Sequence, residues 1–353
     1  MMAAGVCLFL SFPNPALAQD GKWEVEVHGG GAVVSNVSGG TGTVPGPGAP
    51  FATVTRAPSR LVSSWYFGDG SNLLNAALPR FGLTQRITPL DPVLTRELAE
   101  RGHGASFGVR LARDFTPRFG AEFNVDYAAA PVDLTSGALA DIEASVDSFV
   151  PAFQALLSTG PFANVATTSA YVTEHGAGNQ VTATGALTIN LLTEGRLVPY
   201  ATVGAGVLAN QGDMPTVNVD GSYSFNIVGI FPVSESDSVR IRYVVDDTVF
   251  VGVVGGGVKV YLTSQSGLRF DVRAHLGTQT VQTLVSADPG SVRTNDALLS
   301  AWIASFTVPS IQFSNSSQQP TTLGGPSIRD FESFKTDGAF RQVMATAGYF
   351  WRF

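Results

Sequence analysis

Charge is what this 353-residue chain has least of: 14% of its residues are Asp, Glu, Lys or Arg, against roughly 25% in an ordinary soluble domain. Basic residues are the scarcer kind, 21 Lys+Arg against 28 Asp+Glu. A chain this poor in cations has no concentrated basic face for phosphates, which argues against nucleic acid as a main partner. Cysteine is nearly absent too. The single one, Cys7, lies in the first residues, so a chain processed beyond it has no disulfide, thiolate metal site or cysteine nucleophile. Long apolar runs are also missing: no later stretch approaches the 18 or so uninterrupted apolar residues of a spanning helix. If the chain enters a membrane, it does so as strands. Disorder is excluded as well, because 44% of residues are apolar and the net charge is only -7.

Residues 1–18, MMAAGVCLFLSFPNPALA, are uncharged, with an apolar run from Ala3 to Leu10, Pro13 and Pro15, and small residues at Ala16 and Ala18. This reads as a secretory signal cleaved before Gln19, although its n-region lacks the usual Lys or Arg. The run is too short to span a bilayer as a helix. Residues 19–353 form the mature domain.

Eight segments change polarity at every second residue, as strands with one buried face do. In the first, Trp23, Val25 and Val27 oppose Glu24, Glu26 and His28. Next, Phe107, Val109 and Leu111 oppose Ser106, Gly108 and Arg110. In the third, Phe119, Ala121, Phe123, Val125 and Tyr127 oppose Glu122, Asn124 and Asp126. The fourth sets Val181, Ala183, Leu187, Ile189 and Leu191 against Thr182, Thr184, Thr188 and Asn190. The fifth sets Ala201, Val203, Ala205 and Val207 against Thr202, Gly204 and Gly206. In the sixth, Val251 and Val253 hold one phase while Val258, Val260 and Leu262 hold the other, which predicts a bulge or bend at Gly255, Gly256 and Gly257. The seventh alternates Leu268, Phe270, Val272, Ala274 and Leu276 with Arg269, Asp271, Arg273 and His275. The eighth alternates Val343, Ala345, Ala347, Tyr349, Trp351 and Phe353 with Thr346, Gly348, Phe350 and Arg352.

The connections alternate as well. Tight turns at 114–118, 193–196 and 263–267 separate long segments at 34–104, 128–180, 209–247 and 277–337. This is the pattern of an antiparallel up-and-down transmembrane β-barrel of eight strands, with short turns on one side and long extracellular loops on the other. A soluble lipocalin-like barrel would show the same alternation with the opposite sense. Two features favour the membrane. Aromatics stand at strand ends on the apolar face (Trp23, Phe119, Tyr127, Tyr349, Trp351, Phe353), as an interfacial girdle requires. On the polar face Arg110, Lys259, Arg269, Arg273 and Arg352 balance Glu24, Glu26, Glu122, Asp126 and Asp271, as charges shut inside a narrow lumen must.

The closing run from Ala345 to Phe353, with Tyr349, Trp351 and Phe353 at every second position, resembles the C-terminal signature of bacterial outer-membrane barrels. With Pro199-Tyr200-Ala201 and Gly267-Leu268-Arg269-Phe270 opening two strands, the chain resembles the eight-stranded OmpA-like/OmpX-like family. That resemblance covers roughly a third of the chain and stops at the loops. It implies a cell outer-membrane location in a Gram-negative envelope, outer-membrane lipid and lipopolysaccharide as surroundings, and recognition of the terminal aromatics by the barrel-assembly machinery.

The long connections carry a net -9 and the remainder +2. The first is expected to hold a helix capped at Asp91, opened by Pro92 and stopped by Gly102. The second repeats Ile142, Val146, Phe149, Phe153 and Leu157 at helical spacing, and the fourth repeats Leu298, Leu299, Trp302, Ile303 and Phe306. These stripes are expected to pack on the barrel mouth. The third alternates at 216–225 and 239–245, an external hairpin lengthening the fifth and sixth strands; placed in the membrane instead, it would make a ten-stranded barrel. Its acidic residues show no calcium-loop spacing. Gly204-Ala205-Gly206 precedes no helix, so it reads as a packed strand rather than a dinucleotide loop. His28 and His275 fall on the inward face, as lumen hydrogen-bonders rather than metal ligands or members of a lipid-facing catalytic pair. No enzyme, cofactor or metal motif is present. The expectation is a structural or surface-interaction barrel with a plugged lumen and an extracellular ligand still to be named. The alternative is a narrow porin-like channel for small solutes.

Overall fold

The structure is a computed structural model that describes residues 22–35, 37, 39–48, 50–51, 59–158, 167–175, 178–227, 231–292, 323 and 327–353. The signal segment, Cys7 and the stripe at 298–306 lie outside them. Strands are numbered β1 to β16 in chain order.

Eight strands close a hydrogen-bonded antiparallel ring: β1 (Trp23–Ser35), β6 (Gly104–Asp114), β7 (Phe119–Ala129), β10 (Asn179–Asn190), β11 (Leu197–Gln211), β14 (Thr248–Tyr261), β15 (Ser266–Val292) and β16 (Ile328–Arg352). They are the eight alternating segments, in that order, and the ring holds no ninth or tenth member. Walking round the ring by hydrogen-bonded partners leads from Glu24 through Ala112, Glu122, Ala186, Gly204, Val253, His275 and Gln342 back to β1 at Val34. The path climbs from position 24 to position 34, a shear of about ten residues. For eight strands this means a tilt of about 40–45° and a backbone radius of about 8 Å, room for side chains and little else.

The same shear levels the outer surface. Allowing for tilt, the uppermost large outward apolar residues within the ring, Val33, Phe107, Tyr127, Val181, Val207, Phe250, Leu276 and Val343, fall within about three residues of one plane, with only alanines and, on the extension of β15, Leu284 above them. At the turn end, Trp23, Phe115, Phe119, Leu191, Leu197, Leu262 and Trp351 define a second plane and are all exposed. The belt between the planes is about 25 Å high.

The sixth segment carries no bulge. The register of β14 against β11 and β15 is unbroken, and Val249, Val251 and Val253 point inward. The phase change read from the sequence reflects a lumen that turns apolar toward its upper end. The irregularity of the sheet lies higher, where β15 and β16 slip between Thr283 and Leu284 and between Val285 and Ala287.

β15 and β16 do not stop at the belt. With 27 and 25 residues they are about twice the length the ring needs, and their upper halves remain paired. The hairpin β12 (Thr216–Ile227) and β13 (Phe231–Val245) stands on the upper part of β15, and β9 (Thr167–His175) pairs with β12. This corrects the expected lengthening of the fifth and sixth strands, β11 and β14. The chain turns at Gly212, with φ +87°, and the hairpin completes the edge of β15 instead. Of the short pieces, β2 (Thr41–Gly42) pairs with β16, whereas β3 (Pro50–Phe51) with β4 (Ser59–Arg60) and β5 (Ala99–Arg101) with β8 (Val132–Leu134) make two separate two-stranded sheets.

One face of this upper sheet is apolar and buried. Val217, Val219, Val239, Ile241, Val281 and Val285 form it, and the connections fold over it. The chief cover is α3 (Ser136–Leu157), whose first turn is capped by the Thr135 hydroxyl accepting from Ala138 N–H. Its stripe packs on this sheet rather than on the barrel mouth: Phe153 stacks on Tyr223 at 4.4 Å and lies 4.5 Å from Phe149, with Trp65 edge-on at 6.0 Å. α1 (Gly68–Ala77) adds Leu74 to the same core. The helix expected from Asp91 to Gly102 shrinks to α2 (Asp91–Leu94). Asp91 does not cap it; its carboxylate accepts from Gly68 N–H at 3.0 Å, and the chain beyond is drawn into the pairing of β5 with β8. The connections thus make a cap with its own hydrophobic core. Phe153→Ala should cost the cap about 3–5 kcal/mol. Limited proteolysis should then cut the cap while the barrel keeps its folded, heat-modifiable migration on gels; equal resistance of both parts to protease would refute a separate cap core.

The cap also buries carboxylates. Asp237 Oδ2 accepts from Trp65 N–H (2.6 Å) and the Ser64 hydroxyl (3.0 Å), and Glu235 accepts from the Tyr223 hydroxyl. Burial pushes the Asp237 carboxyl up from 3.8 to about 7, with nearby Asp220 adding to the rise against those hydrogen bonds. The folded cap therefore holds a proton that the unfolded chain releases, and the stabilisation is full below about pH 4 and lost as pH rises to about 7. Glu97, raised to about 7 by burial and by Glu100, acts in the same direction. The urea midpoint of the cap should fall between pH 4.5 and 7.5, and Asp237→Asn should remove about half of that slope, leaving the share of Glu97; an unchanged slope in the variant would assign it elsewhere.

Candidate functional site

The inward faces of the eight strands meet in a lumen built in layers. Near the turns, Arg352 Nη2 donates to Asp114 Oδ2 (2.6 Å) and to the Tyr261 hydroxyl (2.8 Å), beside buried Val198 and Phe350. Lys259 Nζ lies 3.1 Å from Glu24 Oε2. Above them Arg110 Nη1 reaches both oxygens of Glu26, at 3.0 and 2.9 Å, and its Nη2 reaches Asp271 at 2.9 Å. Arg269 donates to Glu122 (2.7 Å) and to the Tyr200 hydroxyl (2.7 Å), with its guanidinium 4.3 Å from the Tyr200 ring. Arg273 bridges Glu122 (2.6 Å) and Asp271 (2.7 Å). Asp126 takes His28 Nε2 at 2.6 Å and the Asn124 amide.

All ten charged residues read as lumen residues, Glu24, Glu26, Arg110, Glu122, Asp126, Lys259, Arg269, Asp271, Arg273 and Arg352, are buried inside the ring. Their strands bring them into one connected cluster, with His28 joining Asp126 to the rest. Removing such charges from water costs several kcal/mol each, offset here by multiple short contacts for each guanidinium.

Sequence reading missed Asp114, because it was assigned to a turn, although it shares the phase of Arg110 two steps earlier. It also missed the phenols of Tyr200 and Tyr261, which polarity alternation does not distinguish from apolar residues. Inward glycines supply the space for the long side chains, as small residues do in a narrow barrel. A Cβ on Gly108 would meet the Val125 carbonyl oxygen at 2.5 Å, Asp126 Oδ1 at 2.6 Å and His28 Nε2 at 2.7 Å, and one on Gly348 would meet Glu26 Oε1 at 2.5 Å.

Toward the cap the lumen changes character. Gln342 donates to Gln180 (2.9 Å) and Gln180 to Asn210 (3.1 Å). Arg101 lies across the mouth, donating to Ala130 O (3.2 Å) and Asn210 Oδ1 (3.1 Å). Around it Val34, Leu208, Val249, Val251 and Phe340 make a buried apolar collar, and the cap stands above. His275 is buried opposite Gln342 in the register, on a different level from His28. Among the described residues no cluster of His, Cys, Asp or Glu is arranged to hold a metal ion.

Tyr349, Trp351 and Phe353 occupy the outer face at the turn end. Tyr349 and Trp351 meet edge-to-face at 4.4 Å, and the backbones of Phe353 and Trp23 exchange hydrogen bonds of 3.0 and 3.1 Å.

Fold and site together define an eight-stranded antiparallel barrel with a charge-filled lumen and a structured cap. No protein-family profile matches the chain, and no curated protein matches its sequence. Among solved structures, the outer membrane protein OprG from Pseudomonas aeruginosa is similar at 10% identity over 95% of this chain and 98% of that one, with a TM-score of 0.36. A major outer membrane protein from Thermus thermophilus shares 11% identity over 95% of this chain and 100% of that one, TM-score 0.31. The P. putida toluene transporter TodX shares 10% over 96% and 92%, TM-score 0.18. These overlaps are too loose to bear on function, and none singles out the OmpA-like/OmpX-like family.

Gly108→Ala should lower stability by about 1–3 kcal/mol by crowding the cluster. Gly185→Ala, on the outer face with nothing within 4 Å of the added carbon, should be neutral or stabilising by up to about 1 kcal/mol. Urea unfolding of the two variants in detergent checks this, and equal destabilisation would mean that inward space is not what Gly108 supplies.

Proposed function

We propose that the protein is a bacterial outer-membrane β-barrel of eight strands with a structural or surface-interaction role. It carries no catalytic site, its lumen is plugged, and its cap is presented to the exterior. The observation that carries this reading is the outer belt, level at both edges and about 25 Å high, which matches the apolar band of outer-membrane barrels. Phe250, 81% exposed at its upper edge, would be costly to leave in water with the other exposed apolar residues of the belt. The aromatic girdle at the turn end and the pairing of inward charges support the same orientation. The surroundings are then outer-membrane lipid and lipopolysaccharide. Tyr349, Trp351 and Phe353 are the residues offered to the barrel-assembly machinery, and the C-terminal pattern is what supports membership of the OmpA-like/OmpX-like group.

Against the alternative of a narrow channel for small solutes stand three successive obstructions on one axis: the ion-pair cluster, the collar with Arg101, and the cap core. In planar bilayers the purified protein should insert without a stable unitary current. A reproducible single-channel conductance from the intact chain would overturn the plugged reading.

A further inference from the structure

β15 runs unbroken from barrel to cap, so the outer face of the cap sheet continues the outer face of the barrel. Along that face its side chains pass from Leu268, Phe270, Val272 and Leu276 to Thr278, Thr280, Gln282 and Ser286, with Leu284 the one large apolar residue among them. The surface turns polar just above the belt while still facing sideways. Two grooves meet there. One, of about 540 Å³, lies between the β12–β13 hairpin and the barrel rim and includes Asp213, Asn218 and Asp247. The other, of about 590 Å³, includes Ser286, Asp288 and Arg329. Arg240 and Arg242 line both.

The two arginines are set by the strand and held from the side. Arg240 Nε donates to Asn218 Oδ1 at 3.0 Å, which orients its guanidinium fork. Arg242 meets Asp330 at 2.6 Å, with the two side chains 40% and 59% exposed; water screens such a pair, which contributes little and can be shared with another anion. Asp330 adopts φ +49°, and its N–H donates to the Ser286 hydroxyl at 3.0 Å, fixing the lip of the second groove. Three arginines gather on this face although the connections that build the cap carry a net negative charge.

We propose that the joined grooves bind the phosphorylated saccharide headgroup of a glycolipid in the adjacent leaflet. The proposal rests on the membrane reading above. Guanidinium forks match phosphate oxygens. The neighbouring carboxylates would repel a bare phosphate, yet they accept hydrogen bonds from sugar hydroxyls, as the serines and Asn218 also can. Position selects the source: the arginines stand opposite Leu284 and Ser286, eight and ten residues beyond Leu276 at the belt's edge, so this sideways-facing groove lies about 20–24 Å above the belt, at the height reached by the saccharide of a glycolipid anchored in the surrounding leaflet.

The test uses the full chain in phosphatidylcholine nanodiscs containing purified lipopolysaccharide, with retained lipopolysaccharide counted by native mass spectrometry after detergent extraction. Arg240→Ala/Arg242→Ala should lose retention by about tenfold, the equivalent of one good charge-assisted contact, and Arg240→Lys/Arg242→Lys should recover part of it. Arg86→Ala/Arg96→Ala, which removes two cap charges elsewhere, should leave it unchanged. Equal retention by the groove and control variants overturns the proposal. Displacement by millimolar inorganic phosphate alone overturns the glycolipid assignment in favour of a soluble-phosphate site. Heat-modifiable migration of each variant reports folding and insertion: failure of the parent chain to insert rejects the membrane reading, whereas insertion without groove-dependent retention rejects only this assignment.

Discussion

Closure of eight strands with a shear of about ten residues is the constraint from which the rest follows. It gives a tube about 16 Å across between backbones, an interior of the width that side chains fill. Every inward residue must fill space or be filled around. Glycine at 108 and 348 admits His28, Asp126 and Glu26, and Arg110, Arg269 and Arg273 are buried among the inward side chains. In so enclosed a space each charge needs a partner, and the carboxylates and guanidinium groups meet as one cluster, both across strands, as Arg269 with Glu122, and along β15, as Arg273 with Asp271. An unpaired member would leave a buried charge, far costlier than an absent one.

The same shear acts on the outside. Because it distributes height evenly round the ring, apolar positions that begin and end at different points in each strand become a belt with level edges. Inside and outside are therefore not independent designs. One register sets which carboxylate meets which arginine and also where Phe107, Phe250 and Val343 stand.

The cap answers a different problem. Two strands that continue past the ring expose an edge and an apolar face, and unpaired edges invite association. The hairpin β12–β13 and β9 extend the edge, and α3 with Trp65, Tyr66 and α1 covers the face. The cap core and the apolar collar are separate buried clusters, and the other face of the cap sheet is left mostly polar.

The eight barrel strands, their order and the inward set of charges were legible in the sequence because alternation with period two is a local property: a side chain's face follows from its neighbour's. The helix at 136–157 was legible for the same reason, through a different period. What escaped depended on partners distant in the chain. Val251 and Val253 looked outward because apolar residues usually mark the lipid side, yet both are buried inside the ring, Val251 in the collar with Val34 and Phe340. The residues after Asp91 looked helical until β8 claimed them, and the β12–β13 hairpin looked like an extension of the strands that flank it until the long β15 offered an edge. By itself the sequence determined which residues alternate and where turns are cheap. Tertiary structure alone decided how far β15 and β16 run, which edge the hairpin completes and which carboxylates of other strands each arginine meets, because those choices are made by register and closure across residues far apart in the chain.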